Sequence, residues 1–173
     1  MIDLERTRII AALVENKPGV LHRIAGLFSR RGFNIESIAV GTTENENVSR
    51  MTIIVRGDDR MLEQVEKQLN KQVDVIKVSD IDRGNSVVRE LCLVKVNAKD
   101  EQSKLLLMNY AEIFRAKIVD VNTTTLTLEI TGDEEKVDAL INLLRPHGIR
   151  EMARTGTVAM ARGPKSTEIP EGR

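Results

Sequence analysis

Cysteine is almost missing from this chain. Cys92 is the single one among 173 residues, which excludes an internal disulfide and a cysteine metal cluster. Set in Leu91-Cys92-Leu93-Val94, it reads as a small buried apolar residue and not as a nucleophile. Aromatics are equally scarce: Phe28, Phe33, Tyr110 and Phe114 are the whole set, too few for a platform that stacks single-stranded nucleic acid. Charge of one sign is lacking too. Lys plus Arg equals Asp plus Glu at 26 each, so nothing electrostatic favours nucleic acid or an anionic membrane as a partner. No apolar run approaches the roughly 20 residues that cross a bilayer. Met1-Ile2-Asp3-Leu4-Glu5 lacks the basic and apolar regions of a secretory signal, so a cytoplasmic location is expected.

Reactive chemistry is thin as well. His22 and His147 are the only histidines, neither with a second ligand at metal spacing, and both are expected to be solvated. Ser, Thr and Asp form no nucleophile elbow or triad pattern, and dinucleotide and Walker loops are absent. No catalytic residue and no metal ligand is assigned. The chain reads as a sensor and not as a catalyst.

What is present is a run of apolar residues, Ile9 to Val14, that enters a polar turn and leaves it as an amphipathic helix with Val20, Leu21, Ile24, Leu27 and Phe28 on one side. Apolar at both parities, the entering strand suits a central position covered on both faces. Lys17-Pro18-Gly19 reads as a helix start, with Pro18 in the first turn where amides lack partners. Free amides of Gly19, Val20 and Leu21 at a helix start would welcome a small carboxylate. The same Asn and Pro-Gly chemistry also turns strands into helices with no ligand at all, so the spacing leaves both readings open. Gly26 inside the helix suggests close packing on the sheet, and Gly32 ends it.

Downstream the apolar parity changes between Phe33, Ile35 and Ile38, Val40, which a bulge near Glu36-Ser37 would reconcile. A hairpin loop over 42–47, a strand through Met51, Ile53 and Val55, a helix carrying Leu62, Val65 and Leu69, and a strand over 73–78 complete a βαββαβ order. After a linker at 81–86 the order recurs, offset by about 80 residues. The expected second set is a strand from Val87 to Val96, a helix from Glu101 to Phe114 and a hairpin from Ala116 to Thr131. A helix capped through Thr131-Gly132-Asp133-Glu134 and a strand from Ile149 to Ala161 complete it. The fold class is α+β, with two ferredoxin-like βαββαβ domains at 1–80 and 87–162 and a frayed tail at 163–173. The second domain's first turn, Asn97-Ala98-Lys99-Asp100-Glu101, is acidic and lacks Pro and Gly, so it would repel a carboxylate.

The string Glu15-Asn16-x-x-Gly19-x-Leu21-x-Arg23-x-x-Gly26-Leu27-Phe28-Ser29-x-Arg31-Gly32-x-Asn34-Ile35-Glu36-Ser37, continued by Ser49-Arg50-Met51-Thr52 and by Leu62 to Leu69, resembles the opening of an ACT domain. More narrowly it is similar to the regulatory (small) subunits of acetolactate synthase. The resemblance implies that the N-terminal ACT domain binds valine or another branched-chain amino acid as a feedback inhibitor. It also implies a catalytic large subunit as a separate chain, which carries thiamine diphosphate, Mg²⁺ and FAD, with no cofactor in this one. By position, Asn16 and Gly19 fall on the family's ligand loop and Asn34 on its second strand; in such a site the amides of Gly19, Val20 and Leu21 would hold the carboxylate and Ile35 would accept the branched side chain. The family pairs ACT domains into homodimers, so that one chain's loop meets the other's second strand. A free-standing ACT sensor of another biosynthetic enzyme and a small enzyme on the same scaffold are the alternatives.

Overall fold

A computed structural model describes residues 6–167. Its contacts divide the described residues into two units, one of residues 88–156 and one of residues 6–87 and 157–167. The first unit holds β1 (Arg6–Glu15), α1 (Val20–Arg30), β2 (Ile35–Thr42), β3 (Val48–Gly57), α2 (Asp59–Asn70) and β4 (Val75–Ile81). Its sheet runs β2-β3-β1-β4, all antiparallel pairs, with β2 at one edge. Ile10, Ala12 and Val14 of β1 meet Val20, Ile24, Leu27 and Phe28 of α1 and Leu62, Val65 and Leu69 of α2 in one core. Ile9, Ala11 and Leu13 point to the other face and are buried too, which gives the two-sided burial that the apolar run called for.

Local chemistry explains the ends of α1. Gly32 at φ +68° lets the chain reverse, with Phe33 N–H donating to Phe28 O and Gly32 N–H to Ser29 O, the paired bonds of a Schellman motif. Phe33 then packs edge-on against Phe28, ring centroids 6.3 Å apart. Beyond it the expected bulge is present: Ile35 pairs with Val55 and Ser37 with Ile54, so Glu36 is the extra residue. Gly26 corrects an expectation. A Cβ there would meet only the Arg30 guanidinium, at 3.1 Å, and no atom of the sheet.

The second unit repeats the order from β5 (Ser86–Asn97) through α3 (Glu101–Phe114), β6 (Lys117–Val121), β7 (Thr125–Gly132), α4 (Glu134–Leu144) and β8 (Ile149–Arg154), with sheet order β6-β7-β5-β8. Cys92, Val94, Val96, Leu107, Leu126, Leu128, Val137 and Leu140 form its core. The cap of α4 is Asp133, whose carboxylate accepts from Lys136 N–H at 2.9 Å, and not Thr131. His147 is half-buried and edge-on to Tyr110, not solvated as expected.

The last strand also differs from the sequence reading. Ile149 to Ala161 is not continuous: β8 stops at Arg154, and β9 (Val158–Ala161) groups with the first unit instead. Thr157 N–H donates to Ser37 Oγ at 2.9 Å and Arg50 Nη2 to Ala159 O at 2.9 Å, which ties this segment to the face of the first sheet that carries no helices. β9 pairs with β5, and Arg162 donates to Asn85 O and Ser86 O. The tail expected from Gly163 lies outside the described residues beyond Thr167.

Candidate functional site

The turn between β1 and α1 is built by two residues. Pro18 and Gly19 occupy its centre, Gly19 at φ +85° and ψ −10°, and Val20 N–H closes it on Lys17 O at 3.4 Å. This is a type II turn, which favours Pro second and Gly third because only Gly takes positive φ without strain. The proline therefore sits ahead of the helix, not in its first turn, and Gly19 is the N-cap. Of the expected carboxylate donors, Val20 N–H is drawn into the turn by a long bond. Among the described residues, no hydrogen bond engages the amides of Gly19, Leu21 or His22.

That openness is particular to α1. Asp58, Asp100 and Asp133 cap α2, α3 and α4, each carboxylate accepting a backbone amide three residues on. Gly19 has no side chain to do so, and the first turn of α1 carries no acid. At Asp100, bonds from Ser103 N–H and Oγ–H hold the carboxyl below its usual range. The second unit thus fills with its own carboxylate the place that the first leaves open.

Neighbouring bonds hold the loop firmly. Asn16 N–H donates to Asn47 O at 2.7 Å and Asn16 Nδ2 to Glu46 O at 2.8 Å, which leaves its Oδ1 as an acceptor. Arg23 Nε donates to Asp74 Oδ2 at 2.6 Å, a bond that raises the Arg23 pKa from its ordinary value. Asp74 O in turn accepts from Glu15 N–H, so the ion pair locks the start of β4 to the turn. Leu21 is exposed, and the Val20 side chain is buried in the core.

The second half of the expected site is elsewhere. Asn34 is exposed just before β2, and Ile35 is half-buried against the helix-side core. Register fixes the separation: Ile35 and Arg8 both pair with Val55, whereas Glu15 pairs with Val48 at the far end of β3. Arg8 to Glu15 is seven steps of about 3.3 Å, or about 23 Å along the sheet. Within one chain Asn16 and Asn34 cannot touch the same small molecule.

Elsewhere Cys92 is fully buried, and burial pushes its thiol pKa up, away from nucleophilic use. Among the described residues no group of His, Cys, Asp or Glu could hold a metal ion. No described helix is long and apolar enough to cross a membrane.

Residues 10–77 match the family described as the AHAS small subunit-like ACT domain, and residues 89–163 match the small subunit of acetolactate synthase. The chain is 58% identical over 167 residues to the probable acetolactate synthase small subunit of Methanothermobacter thermautotrophicus, covering 96% of this chain and 99% of that one. It is 52% identical to the acetolactate synthase small subunit of Mycolicibacterium smegmatis, over 92% of this chain and 93% of the relative. The crystal structure of the acetolactate synthase small subunit from Thermotoga maritima is similar at a TM-score of 0.87 and 48% identity, covering 92% of this chain and 99% of that chain.

Proposed function

The chain belongs to the family of acetolactate synthase small subunits, and on that premise we propose that it activates a catalytic large subunit and makes it subject to inhibition by valine. The catalytic chain would supply thiamine diphosphate, Mg²⁺ and FAD, and the reaction with them. This chain would supply an amino-acid site. The observation that carries the reading is the bare start of α1, with a glycine cap and unengaged amides on a loop held by Asn16 and by the Arg23–Asp74 pair.

The site is completed by a second copy. β2 is an exposed edge, and its antiparallel pairing with β2 of a partner brings the start of one strand to the end of the other. The end of β2, at Thr42, lies level with the end of β1, because Thr42 pairs with Ser49 and Ser49 with Val14. Asn34 and Ile35 of one protomer then reach the turn of its partner, across the 23 Å that separates them within a chain. Valine fits such a place by its three parts. Amides of Gly19 and Leu21 take the carboxylate, Asn16 Oδ1 accepts from the ammonium while its Nδ2 stays on Glu46 O, and Asn34 completes the polar ring. Ile35 and Leu21 offer the aliphatic surface.

Regulation then needs no chemistry from this chain. Valine has only to bind one arrangement of the holoenzyme better than another, and a typical coupling of about 1–3 kcal/mol changes affinity roughly 5–150-fold. The test is acetolactate formation by the reconstituted holoenzyme against valine concentration. Asn16→Ala and Asn34→Ala are expected to keep activation and to raise the half-inhibitory concentration at least about tenfold. Variants that activate poorly yet remain fully inhibited would refute the proposal.

A further inference from the structure

The opposite face of the first unit's sheet carries a second feature. A cleft of about 700 Å³ opens between the ends of β1, β2 and β3 and the chain that follows β9. Leu13, Thr42, Arg50, Met160, Ala161 and Lys165 are among its walls. Leu13 faces away from both helices, since its neighbours Ala12 and Val14 belong to the helix-side core, so the sheet separates this cleft from the turn at Gly19.

Arg50 is the feature that needs explaining. It is half-buried and donates through Nη2 to Ala159 O, yet among the described residues no carboxylate pairs with it, Glu44 on the cleft wall included. Burial alone pushes its guanidinium below the ordinary pKa, with no acid near enough to oppose the loss. Charged side chains taken out of water are ordinarily paired. A single carbonyl occupies one arm of a planar fork that matches two oxygens of a carboxylate or phosphate.

We propose that this cleft is an anion site, in which the remaining N–H groups of Arg50 hold a carboxylate or phosphate, Lys165 adds a second positive charge, and Leu13, Met160 and Ala161 accept a short aliphatic body. The site is separate from the amino-acid turn and stands without it. It also gives the returning segment a role, because Met160, Ala161 and Lys165 all lie on or after β9.

The test uses the full chain at low ionic strength, titrated separately with sodium propionate and sodium phosphate, with sodium chloride as the control. The Arg50 Nε–H resonance is followed by NMR and the heat by calorimetry. One of the two anions is expected to shift that resonance saturably in the millimolar range, chloride is not, and which anion does so identifies the ligand's charged group. Lys165→Gln is expected to weaken binding several-fold, Arg50→Gln to abolish it, and Asn16→Ala to leave it unchanged. Because Arg50→Gln also loses the bond to Ala159 O, Met160→Trp provides a second variant that fills the cleft and keeps that bond, and it too is expected to lose binding. A resonance that moves with neither anion, or only as it does with chloride, would overturn the proposal, as would undiminished binding in either Arg50→Gln or Met160→Trp.

Discussion

If each amino-acid site is assembled from two chains, two defective chains should repair one another. In a two-fold dimer every site takes Asn16 from one protomer and Asn34 from its partner. Pairing an Asn16→Ala chain with an Asn34→Ala chain puts both substitutions in one site and leaves the other site intact. The structural ground is the register, which sets Ile35 and Glu15, the chain neighbours of the two asparagines, about 23 Å apart along the sheet, far beyond the span of a free amino acid. Each substitution removes a hydrogen bond to a charged ligand, a loss of about 1.5–3 kcal/mol or roughly 10–150-fold in affinity. Each homodimer alone should therefore bind valine weakly. Random mixing yields about half heterodimers, so about a quarter of all sites should regain native affinity. Coexpression of the two variants followed by calorimetry with valine counts those tight sites directly. A mixture that shows only the two weak affinities of its components would refute the cross-protomer site, whatever the variants do singly.

Three further outcomes follow from the same geometry. Gly19→Ala places a Cβ at φ +85° and 3.1 Å from Arg23 Nη1, whereas Gly26→Ala adds one in ordinary helix that touches only the mobile end of Arg30. The first should lower stability by about 1–2 kcal/mol and weaken valine binding, and the second should raise stability by about 0.5–1 kcal/mol, both read from urea midpoints. Equal effects would show that the turn is not held as described. The Asp100 carboxyl is held low by Ser103, so its contribution is present above the unfolded value and disappears as pH falls through the folded one. Asp100→Asn should therefore narrow the stability gap between pH 7 and about pH 3, and an unchanged gap would count against the cap. Among the described residues Thr127 Oγ1 is buried without a partner, so Thr127→Val should raise the melting temperature of the folded chain, and a lower one would argue for an unseen bond.

Much of this fold was legible because its signals are local. Both-parity burial of β1, the extra residue at Glu36 and the reversal at Gly32 each depend on a few neighbouring side chains, and each is found where the pattern placed it. The misreadings arose where two local signals competed or where the decisive contact was distant. Thr131 and Asp133 both offer a capping oxygen, and the helix takes the one that reaches Lys136 N–H. Pro18 suits a first helical turn and the second place of a type II turn alike, and Gly19 at positive φ decides for the latter. The alternation of Val158 and Met160 with Ala159 and Ala161 would extend β8 equally well. Bonds from Ser37 and Arg50, more than a hundred residues away, tie the segment to the first unit. Asn16 and Asn34 are expected site residues by resemblance alone, and their placement at opposite ends of β1 and β2 is a property of the register.

The two units show how little sequence separates an open helix start from a closed one. Both run from a buried strand into a helix in the same topological place, and both begin that helix with amides that need acceptors. At α3 Asp100 provides the acceptor and Ser103 fastens it, so an incoming carboxylate would meet an occupied and negatively charged end. At α1 the chain offers Gly19, no acid in the first turn, and a neighbouring Asn16 already fixed by Glu46 O. The helix ends share the same backbone chemistry, and the difference lies in whether the protein completes that chemistry itself or leaves it for a ligand. On the function proposed above, the duplicated fold would keep its second copy as framework while the first responds to a metabolite. Exchanging the caps would test this reasoning: Asp100→Gly should cost stability without creating valine affinity, because the second unit still lacks the equivalents of Asn16 and Pro18. Gly19→Asp should abolish valine binding even if the helix it caps becomes more stable. Retained valine affinity in Gly19→Asp would mean that the start of α1 is not where the amino acid binds.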